Sequence, residues 1–343
     1  MTTILVTGGA GFIGSNFVRH IYDRYPNYRI LVLDALTYAG SLNNLPGSGQ
    51  EDRSRLEFWY GSVLNADLVD SLVRQADVVF HFAAESHVTR SIYDNRQFFE
   101  TDVLGTQIVA NAVLRNMQKV RLFVHISTSE VYGTAVTPTM DEEHPTNPMS
   151  PYAAAKCGAD RLVYAYWRTY GIPAVIVRPF NNFGPYQHLE KVVPRFITSC
   201  LLGEPLTVHG DGSARRDFIH VADHCNALDL ILHAPTDKVR GQVLNLGTGK
   251  DVSILEIAKS VKAAMHNSTS AIQMIGERPG QVIRHTCDAT KFHRLLDWQP
   301  KRTFEVGLRE TIDWYVANQE WWQPQRWLRH IPIVTAEGKK EFH

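Results

Sequence analysis

Through its first 180 residues the chain alternates short apolar runs with longer stretches whose apolar positions recur every three or four residues. The runs are Ile4–Thr7, Ile30–Asp34, Leu56–Tyr60, Val78–Phe82, Leu122–Ser127 and Ala174–Arg178. The periodic stretches are Ser15–Arg24, where Phe17, Val18 and Ile21 share a face, then Ala66–Gln75, Val103–Asn116 and Tyr152–Tyr170. Repeated strand–helix alternation predicts an α/β fold, a Rossmann-type doubly wound parallel sheet. Ligands collect at the carboxyl ends of the strands in such a sheet.

After Phe180 the texture changes. Asn181-Asn182-Phe183-Gly184-Pro185-Tyr186 is rich in turn residues, and helical periodicity returns over Val192–Leu202, Ser253–Met265 and Phe304–Asn318. A hairpin is expected around Gly210-Asp211-Gly212. Gln242–Leu246 reads as a strand that crosses back to the sheet. The expected division is a cofactor domain over 1–180, with a chain return near 242–246, and a smaller C-terminal α/β lobe over 181–330. Beyond Trp327 no pattern is readable.

Composition narrows the function classes. Lys plus Arg number 35 and Asp plus Glu number 35 among 343 residues, so the formal charge is zero. Nothing in that balance suggests a nucleic-acid partner. No apolar run reaches the roughly 18 residues of a membrane span, and Met1-Thr2-Thr3 leads directly into the first strand without a signal-peptide pattern. Cys157, Cys200, Cys225 and Cys287 are widely spaced. They read as buried or incidental thiols of a reducing, cytoplasmic compartment, with no metal site expected.

The first strand candidate runs into Gly8-Gly9-Ala10-Gly11-Phe12-Ile13-Gly14, with glycines spaced as G-x-x-G-x-x-G at 8, 11 and 14. Glycine lets backbone N–H groups and a helix N-terminus meet a pyrophosphate without a side chain between them. The second strand candidate ends at Asp34, 20 residues past Gly14. An acidic residue there suits a free ribose 2′-OH and opposes a 2′-phosphate, which favours NAD over NADP. Ala83 and Ala84, after the fourth run, are small enough to let a cofactor approach.

Tyr152 and Lys156 lie four apart on one predicted helix and face one side. A lysine ammonium beside a phenol is expected to lower its pKa, so that it takes a proton from a hydroxyl. The fifth strand candidate ends in Ser127-Thr128-Ser129-Glu130, which puts hydroxyls and a carboxylate where a strand end faces the cofactor.

Together these pieces resemble the extended short-chain dehydrogenase/reductase family, and within it the dTDP-glucose 4,6-dehydratases. Both lobes carry the resemblance: Leu36-Thr37-Tyr38-Ala39-Gly40, Ala83-Ala84-Glu85-Ser86-His87-Val88, Asn181 to Tyr186, Glu190-Lys191, Arg216-Asp217-Phe218, Glu277-Arg278-Pro279-Gly280 and Trp314-Tyr315-Val316-Ala317-Asn318. The resemblance implies a redox cycle without net oxidation. Tyr152 would take the C4 hydroxyl proton, Thr128 would hydrogen-bond the C4 oxygen, and Glu130 would remove the C5 proton. Lys156 would hold the nicotinamide ribose. Phe12, Ile13, Ser62, Val63, Ala83 and Ala84 would complete the NAD site. Ser86, Thr89, Asn181, Asn182, Lys191, Arg216 and Arg278 would bind a dTDP- or UDP-linked sugar nucleotide. A homodimer joined through a four-helix bundle is also implied.

Three positions depart from that pattern. Ser129 stands where the dehydratases carry the aspartic acid that protonates the departing hydroxyl, Thr89 replaces an aspartate, and Ser62 replaces a carboxylate at the adenine contact. A Thr-Ser-Glu triplet is shared with GDP-mannose dehydratases and UDP-glucuronate decarboxylases. Dehydration is the favoured reading. The alternatives are decarboxylation of a C6 carboxylate, whose repulsion the lost acids would relieve, and 4-epimerisation through the C4 step alone. A non-catalytic NAD-binding sensor is the remaining, more remote reading.

Overall fold

The computed structural model describes residues 1–47, 55–265, 268–277, 280–329, 332–334 and 340–342. Seven parallel strands form its main sheet. In chain order the first six are β1 (Thr3–Thr7), β2 (Arg29–Asp34), β3 (Leu56–Tyr60), β4 (Val78–His81), β5 (Leu122–Ile126) and β6 (Ala174–Pro179). After β6 come β7 (Asn181–Phe183), β8 (Leu206–His209), β9 (Arg215–His220) and β10 (Val243–Leu246), the last of which returns to the sheet. The strand order is β10-β6-β5-β4-β1-β2-β3. Order reverses between β1 and β4, which opens a crevice at their carboxyl ends.

The apolar alternation of the strands builds two layers. Ile4, Val6, Ile30, Val32, Phe80 and Val124 face helices Phe12–Arg24 and Val221–His233, with Phe17, Ile21, Leu228 and Ile231 fully buried against them. Leu5, Leu31, Val79 and Phe123 face the other way, onto Val69, Leu72, Val109, Val113 and Val163. Both faces are covered, so the strands read as continuous apolar runs. The doubly wound fold expected from the pattern is present.

A second core gathers Phe183, Val193, Phe196, Ile197, Leu206, Phe218, Ile257, Leu308 and Tyr315. Around it lie helices Val192–Leu202, Ile254–Ala264 and Phe304–Ala317 and three further strands, β11 (Asp251–Ser253), β12 (Ile272–Ile275) and β13 (Arg284–His285).

Two local expectations fail. No hairpin forms at Gly210-Asp211-Gly212. β8 pairs in parallel with β12, while β9 pairs with β7, β11 and β13. Gly210 and Gly212 both hold positive φ, as a tight turn allows, but β8 and β9 on either side are taken up by partners elsewhere in the chain. The helix expected over Val103–Asn116 is α-helical only over Thr106–Arg115. A wide π turn, Phe99–Gly105, precedes it, and there the Thr106 hydroxyl bonds the Asp102 carbonyl at 2.5 Å. In the tail, Pro332–Val334 and Lys340–Phe342 pair antiparallel.

Candidate active site

One cavity of about 930 Å³ runs from the glycine turn, past the carboxyl ends of the main sheet, to the second core. At the turn, β1 passes into helix Phe12–Arg24. Gly8 holds φ at +69°, and a Cβ there would sit 2.5 Å from the Ala83 backbone nitrogen. A Cβ on Gly14 would collide with the Gly8 carbonyl oxygen. Gly11 differs, because its Cβ direction is open, with Gly8 O at 3.4 Å as the nearest atom. Gly11 also caps the helix without a side-chain hydrogen bond, so the first N–H groups of the helix are left for a ligand. Phe12, Ile13, Ser62, Val63, Ala83 and Ala84 line the same end.

Asp34 closes β2. Its Oδ2 accepts the Ala10 N–H at 2.9 Å and its Oδ1 accepts the Leu36 N–H at 2.8 Å. These bonds fix the carboxylate at the cavity wall, although burial raises its pKa. A bare helix N-terminus, an open glycine face and an anchored acceptor together fit the pyrophosphate and adenosine ribose of NAD.

Helix Pro151–Tyr170 begins where it does because Ser150 Oγ accepts the Ala153 N–H at 3.2 Å and Pro151 occupies the first turn. That start puts Tyr152 and Lys156 one turn apart on the cavity wall. Thr128 hydrogen-bonds Tyr152 and caps the next turn, accepting the Glu130 N–H at 3.2 Å. Glu130 also lines the cavity.

The electrostatics differ from the sequence expectation. The Tyr152 phenol is pushed up, first by burial and then by the negative charges of Asp102 and Glu130, with only the Thr128 bond opposing. Lys156 does not lower it. The ammonium is turned into the protein, where it donates to Ile126 O at 2.7 Å. Helical spacing placed the two residues on one face but could not direct the lysine's last atoms.

Ser129 is outside the cavity lining. It is 2% exposed, and its Oγ lies 3.4 Å from His285 Nδ1. His285 in turn meets Gly133 O through Nε2, at 2.6 Å, and stands 3.8 Å from Glu130 Oε1. This histidine was not anticipated, and it connects β13 to the loop that carries Thr128 and Glu130.

The residues expected on the substrate side line the cavity as well. Lys191 reaches across from the start of helix Val192–Leu202 to donate to Ser86 O at 2.8 Å. Thr89, Asn181, Asn182 and Arg216 line the cavity with them. Asn182 is engaged internally, by His224 at 2.7 Å and Phe180 O at 3.0 Å, whereas the buried Asn181 Oδ1 has no partner among the described residues. Arg278 lies outside the described residues. Sequence reading missed Glu190 and Arg195, which also line the cavity. Glu190 pairs with Arg90 at 3.1 Å, and burial beside Arg329 lowers the Arg195 guanidinium to about 10. Asp102 was missed as well. Its only signal was an acid at the entry to a helix with one apolar face. Among the described residues no cluster of metal-ligating side chains forms, and no helix is long and apolar enough to cross a membrane.

With the geometry in place, the relatives are informative. The family model for GDP-mannose 4,6 dehydratase matches residues 5–311. The chain is 44% identical to the low-salt glycan biosynthesis protein Agl12 of Haloferax volcanii, over 92% of this chain and 99% of that one. It is 41% identical to the dTDP-glucose 4,6-dehydratase of Streptomyces niveus, over 94% and 95%. The structure of DesIV, a dTDP-glucose 4,6-dehydratase from Streptomyces venezuelae solved with NAD bound, superposes with a TM-score of 0.88 at 39% identity, covering 94% of this chain and 99% of that one. This chain therefore belongs to the extended short-chain dehydrogenase/reductase family, among its sugar-nucleotide dehydratases.

Proposed function

We infer that this protein is an NAD-dependent NDP-sugar 4,6-dehydratase, a lyase that converts an NDP-hexose to its 4-keto-6-deoxy product, with a dTDP-linked hexose as substrate. One observation carries the reading: a carboxylate, Glu130, opens on the cavity beside the Thr128–Tyr152 hydroxyl pair. Exchange at C4 alone requires no carboxylate there, whereas elimination across C5 and C6 does.

Gly11, the helix N-terminus behind it and Asp34 would hold NAD. When bound, NAD supplies the hydride acceptor and donor and a positive ring that opposes the negative charges holding the Tyr152 phenol protonated. Thr128 orients the C4 oxygen and Tyr152 accepts its proton. The 4-keto group acidifies C5, and Glu130 takes the C5 proton. Electrons of that C–H bond form the C5–C6 double bond while the C6–oxygen bond breaks. Glu130, now a carboxylic acid, returns the proton to the departing hydroxyl, which leaves as water. The hydride removed from C4 would then be delivered to C6 while C5 takes a proton from solvent, and Tyr152 would release to solvent the proton it accepted, which closes the balance at the 4-keto-6-deoxy sugar. No second acid is required, which makes Ser129 a tolerated departure.

The case for a C6 carboxylate weakens for the same reason. Ser129 faces His285 and not the cavity, so of the two lost acids only the one at Thr89 relieves charge there. Glu85, Glu130 and Glu190 still line the cavity and would repel a hexuronate.

The sugar nucleotide would lie between a cofactor unit, 1–180 with its return at β10, and the 181–330 lobe, contacting Ser86, Thr89, Asn181, Lys191, Arg216 and Arg278. The setting is cytoplasmic. The active form is a homodimer, a reading supported by Phe99, Leu104 and Tyr164, which are exposed on helices that pack together.

Mass spectrometry of products from a panel of dTDP-glucose, UDP-glucose, GDP-mannose, UDP-N-acetylglucosamine and UDP-glucuronate tests the function. Loss of one water from dTDP-glucose is expected. Carbon dioxide from UDP-glucuronate, or turnover without mass change, would overturn the reading. Sedimentation of the same preparation reads the assembly.

A further inference from the structure

The glycine turn is held from outside its own strand and helix. Ala10, fully buried within it, donates its N–H to Asp34 Oδ2 at 2.9 Å. Its carbonyl oxygen accepts two bonds from the segment after β2, from Ser41 N–H at 3.0 Å and from Asn44 Nδ2 at 2.8 Å. Asn44 ends a short helical turn, Leu42–Asn44, and is 2% exposed. Arg19, from helix Phe12–Arg24, fixes the backbone there by donating to Asn44 O at 2.7 Å and to Leu45 O at 3.0 Å.

The other face of the Asn44 amide is taken by a residue 277 positions away. Trp321 Nε1 donates to Asn44 Oδ1 at 2.9 Å. Trp321 lies in the short helix Gln319–Trp322 and packs on the second core, with its ring 5.1 Å from that of Trp314 and 5.7 Å from that of Tyr186. An indole N–H can only donate and a peptide carbonyl can only accept, so both ends of the amide are determined. Trp321 requires Oδ1 on its side, which leaves Nδ2 for Ala10. Turning the amide over would set Oδ1 against Ala10 O and Nδ2 against the indole, with both bonds lost. The backbone bonds from Arg19 do not prevent that rotation, whereas the indole does.

We propose that Asn44 and Trp321 are positioning residues for the cofactor: the indole orients the amide, and the amide holds the Ala10 carbonyl so that the turn keeps the conformation in which Gly11 and the helix N-terminus meet the pyrophosphate. Ala10 stands between the two parts of the NAD site, with Asp34 on its N–H and Gly11 as the next residue. A shift of its peptide disturbs the ribose acceptor and the pyrophosphate face together. Retention of NAD thereby depends on a side chain that the second core carries. The direct readout is a dissociation rate and not turnover, so the inference stands whether or not the dehydratase reading does.

Release of radiolabelled NAD from the loaded protein into excess unlabelled NAD tests this, with a melting temperature recorded for each variant. W321F keeps an aromatic ring between Trp314 and Tyr186 and removes the donor, and N44A removes the amide. Each should release NAD roughly three- to tenfold faster, as expected for the loss of one hydrogen bond. The double variant should release it no faster than N44A alone, because the indole acts only through the amide. W314F disturbs the same aromatic cluster without touching the Asn44 bond, and it should keep the native rate. A native release rate in N44A overturns the proposal, and that result requires no change in the second core. So do rates that multiply in the double variant, or a W314F as fast as W321F, since either would mean that packing and not the directed amide governs the turn. A merely structural contact lowers the melting temperature and leaves release unchanged, which also overturns it.

Discussion

The proposed mechanism assigns two separable proton transfers to Tyr152 and Glu130, so single substitutions should separate them. Glu130→Gln keeps the size of the side chain and removes its basicity. NAD binding and formation of reduced nicotinamide should persist, with no water lost and the cycle stalled at the 4-keto stage. Tyr152→Phe should instead slow nicotinamide reduction itself, by roughly 10²- to 10⁴-fold. Stopped-flow absorbance together with product mass reads both, and full turnover by Glu130→Gln would remove Glu130 as the base. Much of this constellation was legible beforehand, because strand ends and helix spacing constrain where Thr128, Glu130, Tyr152 and Lys156 can lie. The direction of the Tyr152 shift was not legible. It depends on Asp102, which is distant along the chain, and on burial, which a short motif does not report. The orientation of Ser129 was hidden for a similar reason, since His285 arrives from the other lobe.

At the level of elements, the glycine turn makes a sharper prediction than its motif does. Gly11 and Gly14 occupy equivalent places in the spacing, yet their surroundings differ. Gly11 has φ −78° and ψ −178°, open to any residue, and a methyl group there meets nothing closer than 3.4 Å. Gly11→Ala should therefore fold with stability within about 0.5 kcal/mol of the native protein, while its methyl intrudes where the pyrophosphate would lie. Gly14→Ala drives a methyl into the Gly8 carbonyl and should cost roughly 1–3 kcal/mol as well as NAD affinity. Thermal melts paired with NAD titration test the contrast. Native NAD affinity in Gly11→Ala would mean that the cofactor does not use this face. Continuous apolar runs and period-3.6 patterns located the main strands and helices, because the strands are buried on both faces and each helix buries one consistent face. They did not distinguish the turn at Gly210–Gly212 from a hairpin, since pairing partners are set by distant strands. Nor could they reveal the π turn, which keeps the apolar face while widening the backbone enough to bury Asp102.

Across the whole molecule, a formal charge of zero conceals many buried titratable groups of opposing sign. Burial lowers six histidines, His81, His125, His188, His220, His224 and His285. Their folded pKa values lie below the unfolded value of about 6.5. As pH falls through that value the unfolded chain binds protons that the native state refuses, and stability is lost. Burial also raises five carboxyls, Asp34, Glu85, Asp102, Glu142 and Asp217. Here the native state takes protons before the unfolded chain does, so falling pH restores stability until the unfolded carboxyls protonate near pH ~4. The two sets oppose each other between about pH 6.5 and 4. Below that window the carboxyl gain ends while the histidine penalty continues. Asp160, held low by the guanidinium of Arg178 and by Arg161, then adds its own loss as its ion pairs are protonated. Melting temperature should consequently change little from about pH 6.5 to 4.5 and fall steeply below about pH 4. Differential scanning calorimetry without substrate measures this. A steady decline beginning at pH ~6.5 would mean that the buried carboxyls titrate near their ordinary values.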